Sequence, residues 1–173
     1  LYLFGGSYQH DAFIAAFKIP NLLRNLLAEG AFSAAFIPLF STILISKSKE
    51  EAYKFANKVI TLLVIASSIV TVLGIIFSYA IVPIIYKYTD TTGLAIYLSE
   101  LMMPFVIFTS IAAIVMGILN SLDNFFSSAI APLFANVVFI IVVYFTHRKL
   151  GIKCLAVGVL CSGIFYFITQ IPA

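Results

Sequence analysis

Four long stretches without a charged side chain constrain this sequence more than any other feature. They cover residues 59–86, 101–122, 124–146 and 154–173. An α-helix rises 1.5 Å per residue, so about 20 residues cross a hydrocarbon core of about 30 Å. The chain is also 62% hydrophobic and only 10% charged, far from the roughly one-quarter charged residues of a soluble domain. The sequence therefore predicts an integral membrane protein.

The turn signals between these stretches divide the chain into five predicted spanning helices. The first runs from about residue 11 to 45, and Pro20 or Gly30 could kink or break it. The others cover about 49–86, 94–121 with Pro104 inside, 129–145 and 155–171. Because the chain begins with Leu1 and residues 1–4 resemble the end of an earlier helix, we expect a fragment of a larger protein.

The most polar stretch, residues 46–58, predicts where the second helix begins. Ser48 followed by Glu51 fits a capping box. Glu50 and Lys54 are spaced to pair on one helix face. We therefore expect a helix that begins near Lys49, runs in water for about two turns and enters the membrane near Val59.

Charges inside the first apolar segment are its most unusual property. An ionised side chain at mid-bilayer costs roughly 2.5–3.5 kcal/mol on insertion scales, so such groups face protein or a water-filled cavity. At 100° per residue, one polar stripe contains Asp11, Lys18, Asn25, Glu29 and Ser33, with Asn21 close to it. Arg24 lies off this stripe on a straight helix. The stripe predicts the lining of a cavity, and the alternative is that Lys18 snorkels to an interface while Arg24 pairs with Glu29.

Several other kinds of function find no support in the sequence. The basic residues are scattered at helix ends, which argues against nucleic-acid binding. Cys154 and Cys161 are about 10 Å apart on one helix, too far for a disulfide, and no metal site or cofactor is expected. No nucleophile–base pair or phosphate loop appears, so an enzyme is not expected. Asparagines near helix ends are predicted to be caps or interhelical hydrogen bonds; they are Asn120, Asn124 and Asn136.

One segment resembles a known family closely. "DAFIAAFKIPNLLRNLLAEGAFSAAFIPLF" (residues 11–40) resembles at nearly every position the signature of the MurJ (MviN) family of bacterial lipid II flippases. "MPFVIFTSIAAIVMGILNSLDNF" (103–125), "APLFAN" (131–136) and "FITQIP" (167–172) resemble further stretches of that family. The resemblance covers almost the whole chain.

The resemblance implies a fold and a site. The fold would be an all-α, polytopic transmembrane bundle of the multidrug/oligosaccharidyl-lipid/polysaccharide exporter type. Residues 1–173 would form a partial first lobe, from the tail of helix one through helix six, with the second lobe absent. Arg24 and, second, Lys18 are carried over from the family motif as residues that engage the anionic head group. Asn21, Asp11 and Glu29 match further site positions of the family, and of these Asp11 and Glu29 would gate the cavity or hold the basic residues in place.

It also implies a substrate and a location. The substrate would be lipid II, an undecaprenyl diphosphate that carries a disaccharide-peptide, in the bacterial inner membrane beside other membrane lipids. The resemblance places the 47–58 link in the cytoplasm, an orientation that the even distribution of basic residues leaves open. Asn25 and Asn124 stand where the family usually has bases. The alternatives are an exporter of other lipid-linked sugars or drugs, and a non-transporting membrane scaffold.

Overall fold

The computed structural model of the protein describes residues 8–29, 31–86 and 89–171, except for the side chains of residues 28–34, 89 and 127. Every regular element in these residues is helical, which confirms the predicted all-α class. The elements in chain order are α1 (Tyr8–Arg24), a π-helical turn (Asn25–Glu29), α2 (Ala31–Ser46), α3 (Lys49–Ile85), a 3₁₀ turn (Thr89–Thr91), α4 (Thr92–Met102), α5 (Phe105–Ser121), α6 (Phe125–Leu150) and α7 (Lys153–Ile168).

The first predicted helix is interrupted between its two candidate positions, Pro20 and Gly30, and Gly30 itself lies outside the described residues. Pro20 lies inside α1, and the regular helix continues through it to Arg24. The interruption comes at the π-helical turn Asn25–Glu29 instead. Packing against neighbouring helices compensates for the hydrogen bond that a proline removes in a membrane helix. The structure therefore places the irregular backbone beside Arg24, in the middle of the apolar segment.

The second predicted helix begins where the capping signal places it. The Ser48 hydroxyl accepts a hydrogen bond from the Glu51 backbone N–H at 3.2 Å, and α3 starts at Lys49. The predicted pair of Glu50 and Lys54 is an ion pair of 2.8 Å. These contacts lie in the exposed first turns of α3, before its apolar part begins.

Within the described residues, three helical segments are long and apolar enough to cross a membrane. They are Lys49–Ile85, Thr92–Ser121 and Ser128–Leu150. The first predicted span is divided by the π-helical turn, and α7 has 16 residues, about 24 Å of helix. Three of the five predicted spanning helices are therefore long enough to cross a membrane. The other two spans stay a prediction.

Two predicted boundaries differ in the structure. The predicted helix with Pro104 inside is two helices, because α4 ends at Met102 and Pro104 is the N-cap of α5. The predicted helix 129–145 is longer than expected, since α6 continues to Leu150 and Gly151 then turns the chain with φ 54°. Three basic side chains at 147–149 therefore extend the last turn of α6, where the helix dipole favours them.

Hydrogen bonds define the two ends of the bundle. At one end the Ser41 hydroxyl donates to Ser121 at 3.2 Å, joining the last turns of α2 and α5. This end also holds the link between α2 and α3. At the other end the Tyr86 hydroxyl donates to the Tyr8 carbonyl at 3.2 Å and contacts Thr91 at 2.6 Å. The start of α1 thus meets the end of α3.

The face of α1 opposite its polar residues packs through small side chains. Ala12, Ala15 and Ala16 are buried in one cluster with Ala95 and Leu98 of α4. Small residues let two membrane helices approach closely. Phe36 of α2 is buried between α2 and α3 and stacks on Phe55.

The carboxyl group of Glu100 makes a polar contact between α3 and α4. The Ser78 hydroxyl donates to Glu100 Oε1 at 2.8 Å. Ser78 is fully buried, while Glu100 is partly buried in α4. Since charged side chains are rare inside spans and pair with polar groups there, this contact joins the two helices at a costly position.

Candidate functional site

The guanidinium of Arg24 is held by the residue that follows it. Arg24 is the last residue of α1, roughly 24 Å along the axis from Tyr8. Its Nε and Nη2 donate to Asn25 Oδ1 at 3.2 Å and 2.8 Å. Asn25 begins the π-helical turn, a rare form that often occurs at functional positions. The side-chain amide thus orients the planar guanidinium from one edge.

A cavity of about 540 Å³ lies beside Arg24. Its described lining comes from α1, α2, α5, α6 and α7, so the cavity is formed by most of the bundle rather than by one pair of helices. The described lining residues are Arg24, Ile37, Phe105, Thr109, Ala113, Met116, Gly117, Asn120, Pro132, Ala135, Asn136, Ser162 and Tyr166. Arg24 is the charged side chain among them.

The cavity occupies the half of the bundle near the link between α2 and α3. Ser121 and Ser41 meet at that end, and Asn120 lies one residue before Ser121. The lining residues of α6 fall in its first half, and those of α7 fall in its last two turns. These helix segments all belong to the end that carries Lys47 and Lys49.

Most hydroxyl groups of the wall are satisfied within their own helices. Thr109 donates to the Phe105 carbonyl at 2.9 Å, and Ser162 donates to the Val159 carbonyl at 2.7 Å. The Tyr166 hydroxyl points at Met116 Sδ, 3.5 Å away. This contact joins α7 to α5 across the cavity wall.

Two asparagines of the wall differ in their bonding. Asn120 accepts a hydrogen bond of 2.6 Å from Ser128, which joins α5 to α6 and confirms the predicted interhelical bond. Asn136 lies inside α6, is exposed, and makes no side-chain hydrogen bond to any residue in the described part of the chain. The prediction of a cap or an interhelical bond is therefore wrong for Asn136, because the helix continues on both sides and brings no polar neighbour within reach.

The described side chains of the polar stripe do not line this cavity. Asp11 and Lys18 are exposed on α1 away from the described lining, and Asn21 is half-buried without lining it. The side chain of Glu29 lies outside the described part. Arg24, which falls off the stripe on a straight helix, is the predicted site residue that lines the cavity. A role in binding stays a prediction for all five.

Close packing behind the cavity depends on a glycine. A Cβ atom on Gly163 of α7 would lie 2.6 Å from Cδ2 of Phe105. Phe105 is 7% exposed, and its ring lies 6.2 Å from that of Phe17. The ring of Phe105 therefore fills the space that an alanine side chain would need, and it forms one wall of the cavity.

Comparison with known proteins agrees with this geometry. The family model "Lipid II flippase MurJ" matches residues 1–173. The Lipid II flippase MurJ of Burkholderia cenocepacia is 33% identical over 175 residues, which cover 98% of this chain and 34% of that protein. The probable lipid II flippase MurJ of Treponema pallidum is 36% identical over 175 residues, covering 93% of this chain and 32% of that protein.

A solved structure titled "Lipid II flippase MurJ, inward closed conformation" superposes with a TM-score of 0.82 at 33% identity. The superposition covers 98% of this chain and 36% of the chain in that structure. The chain thus spans about a third of the length of the relatives it matches. Its helices, apolar enough to span a membrane, fit a family of membrane flippases. This chain belongs to the MurJ lipid II flippase family.

Proposed function

We propose that the full-length product of this gene flips lipid II across the bacterial inner membrane by alternating access. In this proposal the present chain supplies a wall of the cavity that receives the diphosphate. The observation that carries the proposal is the position of Arg24, a cation that lines a cavity inside an apolar helical bundle. Membership of the MurJ family supports the choice of substrate.

The diphosphate is the part of such a lipid that resists transfer through hydrocarbon. Moving an isolated ion from water into an apolar medium costs on the order of tens of kcal/mol of solvation free energy, by a Born estimate. Arginine offsets such a loss well, since its planar donors match phosphate oxygens two at a time. Asn25 holds one edge of the guanidinium of Arg24, which lowers the number of orientations the group would give up on binding.

The rest of the described lining suits an anion better than a cation. Besides Arg24 it consists of apolar side chains, hydroxyl groups and two amides, and the described lining contains no carboxylate. A cationic drug would meet like charge at Arg24, whereas a phosphate would meet donors. This composition favours a lipid-linked diphosphate over a cationic substrate.

The position of the cavity fits entry from the cytoplasm. It lies near the end that carries Lys47 and Lys49, which the family resemblance places on the cytoplasmic side. A head group would enter there and would leave on the far side after the lobe rocks against an opposing lobe, as alternating access requires. Because the chain covers about a third of its relatives, the complete cycle belongs to the full-length protein.

Depletion and complementation test this proposal. Depleting the full-length protein should strand lipid II in the cytoplasmic leaflet and stop growth. Losing hydrogen bonds to a charged group costs about 1.5–3 kcal/mol, so Arg24→Gln should weaken lipid II binding roughly ten- to hundredfold and fail to restore growth. Arg24→Lys should restore growth in part, because the positive charge remains but the paired N–H donors of the planar guanidinium are lost.

A matched control lies at the other end of the bundle. Arg148 is exposed in the last turn of α6, far from the described lining, so Arg148→Gln should restore growth at equal expression. The proposal fails if Arg24→Gln supports normal growth and normal lipid II flipping.

A further inference from the structure

We infer that Asn136 contacts the sugar next to the diphosphate and helps to select a saccharide-bearing lipid. The inference rests on the proposed function and assigns a second recognition element to the same cavity. Arg24 on the α1 side would hold the diphosphate, and Asn136 on the α6 side would hold the saccharide.

The bonding of Asn136 points to a ligand. Its amide carries two donor hydrogens and an acceptor oxygen, and none of them pairs with a side chain or backbone group in the described residues. Polar groups in membrane helices normally find partners in neighbouring helices. Asn120 on the same wall follows that rule through Ser128, and Asn136 does not. Its exposed amide therefore faces the cavity with its hydrogen-bonding capacity unused.

The donors and the acceptor of the Asn136 amide suit a sugar better than a phosphate. Phosphate oxygens of an ionised diphosphate only accept hydrogen bonds, which suits the donor-only guanidinium of Arg24. An amide next to a diphosphate would leave its own oxygen unpaired. Sugar hydroxyl and acetamido groups both donate and accept, so they satisfy both ends of the Asn136 side chain.

The surroundings of Asn136 agree with a saccharide of limited size. Phe105 and Tyr166 line the same cavity and provide aromatic surface beside the polar groups. The cavity of about 540 Å³ is of the size that holds a drug-sized group, so the peptide of lipid II would extend beyond it.

Binding of two probes to the full-length protein tests the inference. The probes are lipid II and undecaprenyl diphosphate, which lacks the sugars, and the variants are Asn136→Leu and Arg24→Gln. A hydrogen bond between neutral groups is worth roughly a three- to tenfold change in affinity. We expect Asn136→Leu to weaken lipid II binding by about that factor and to leave undecaprenyl diphosphate binding unchanged.

The controls separate this inference from the proposed function. Arg24→Gln should weaken both probes, and Asn57→Leu, at an exposed position of α3 outside the described lining, should weaken neither. Asn136 has no partner in the described structure to lose, so the melting temperature of Asn136→Leu should match that of the wild type.

Three results would overturn the inference. If Asn136→Leu weakens both probes equally, Asn136 acts on the diphosphate or on the fold. If it weakens neither while Arg24→Gln weakens both, the proposed function survives and the sugar contact is wrong. If the wild-type protein binds neither probe, both proposals fail together.

Discussion

Replacing Gly163 by alanine tests how closely α7 packs behind the cavity. The added Cβ atom would lie 2.6 Å from Cδ2 and 3.2 Å from Cε2 of Phe105. Carbon atoms in good contact are about 3.5–4.0 Å apart, so the ring has to move by about 1 Å. Phe105 is buried against Phe17 on one side, and the cavity on its other side is the free direction.

The expected loss of stability follows from two opposing terms. Inserting a methyl group into a packed core costs about 1–3 kcal/mol. Replacing glycine by alanine inside a helix returns about 0.5–1 kcal/mol. Since Phe105 is 7% exposed and its ring can move only toward the cavity, we expect Gly163→Ala to lower the free energy of unfolding by about 1–2 kcal/mol.

Unfolding of the full-length protein in a mild detergent measures this difference. Gly93→Ala is the matched control, because Gly93 lies in the first turn of α4 with no atom within 4 Å of the added Cβ. It should gain up to about 1 kcal/mol of stability. The displaced ring of Phe105 should also narrow the cavity, so Gly163→Ala should flip lipid II more slowly than Gly93→Ala. Equal stability and equal flipping of the two variants would refute the packing argument.

Two further changes test contacts within the bundle. Asn25→Ala should reduce lipid II binding less than Arg24→Gln does, since it frees the guanidinium of Arg24 without removing it. Binding titrations of both variants check this prediction. If Asn25→Ala weakens binding as much as Arg24→Gln, then Asn25 does more than orient its neighbour. Ser78→Ala should lower the unfolding free energy by about 1–3 kcal/mol, because the carboxyl of Glu100 loses its donor. In the same assay Ser67→Ala should lower the unfolding free energy by less than Ser78→Ala does, because Ser67 donates only to the Val64 carbonyl of its own helix. A larger loss for Ser67→Ala than for Ser78→Ala would contradict this prediction.

Long apolar stretches and helix caps were readable from the sequence because they depend on local properties. The charge-free runs and the Ser48 cap predict α3 closely, and α3 begins at Lys49 as expected. Proline positions were less informative. Pro20, Pro38, Pro83 and Pro132 all lie inside helices, while Pro104 begins one. Whether a proline breaks a membrane helix depends on the neighbours that compensate its freed carbonyl, and a sequence does not show those neighbours.

The candidate site depends on tertiary structure to a greater degree. A straight-helix projection of α1 favours Asp11 and Lys18 and leaves Arg24 off the stripe, yet Arg24 lines the cavity. The projection assumes regular spacing, and the π-helical turn after Arg24 ends that regularity. The importance of Asn136 was also hidden, because an unpaired amide is recognised only when its neighbours are known.

The length of α3 gives the protein a natural position for a reporter of movement. Its 37 residues make a rod of about 55 Å, roughly 25 Å more than the hydrocarbon thickness. The sequence predicts that the charged first turns of this rod, which carry the contacts of Ser48 with Glu51 and of Glu50 with Lys54, stand in water. A lobe rotation of about 10° would swing a tip some 30 Å from the bilayer centre through about 5 Å. A spin label or fluorophore at exposed Lys49 would register that displacement without touching the cavity.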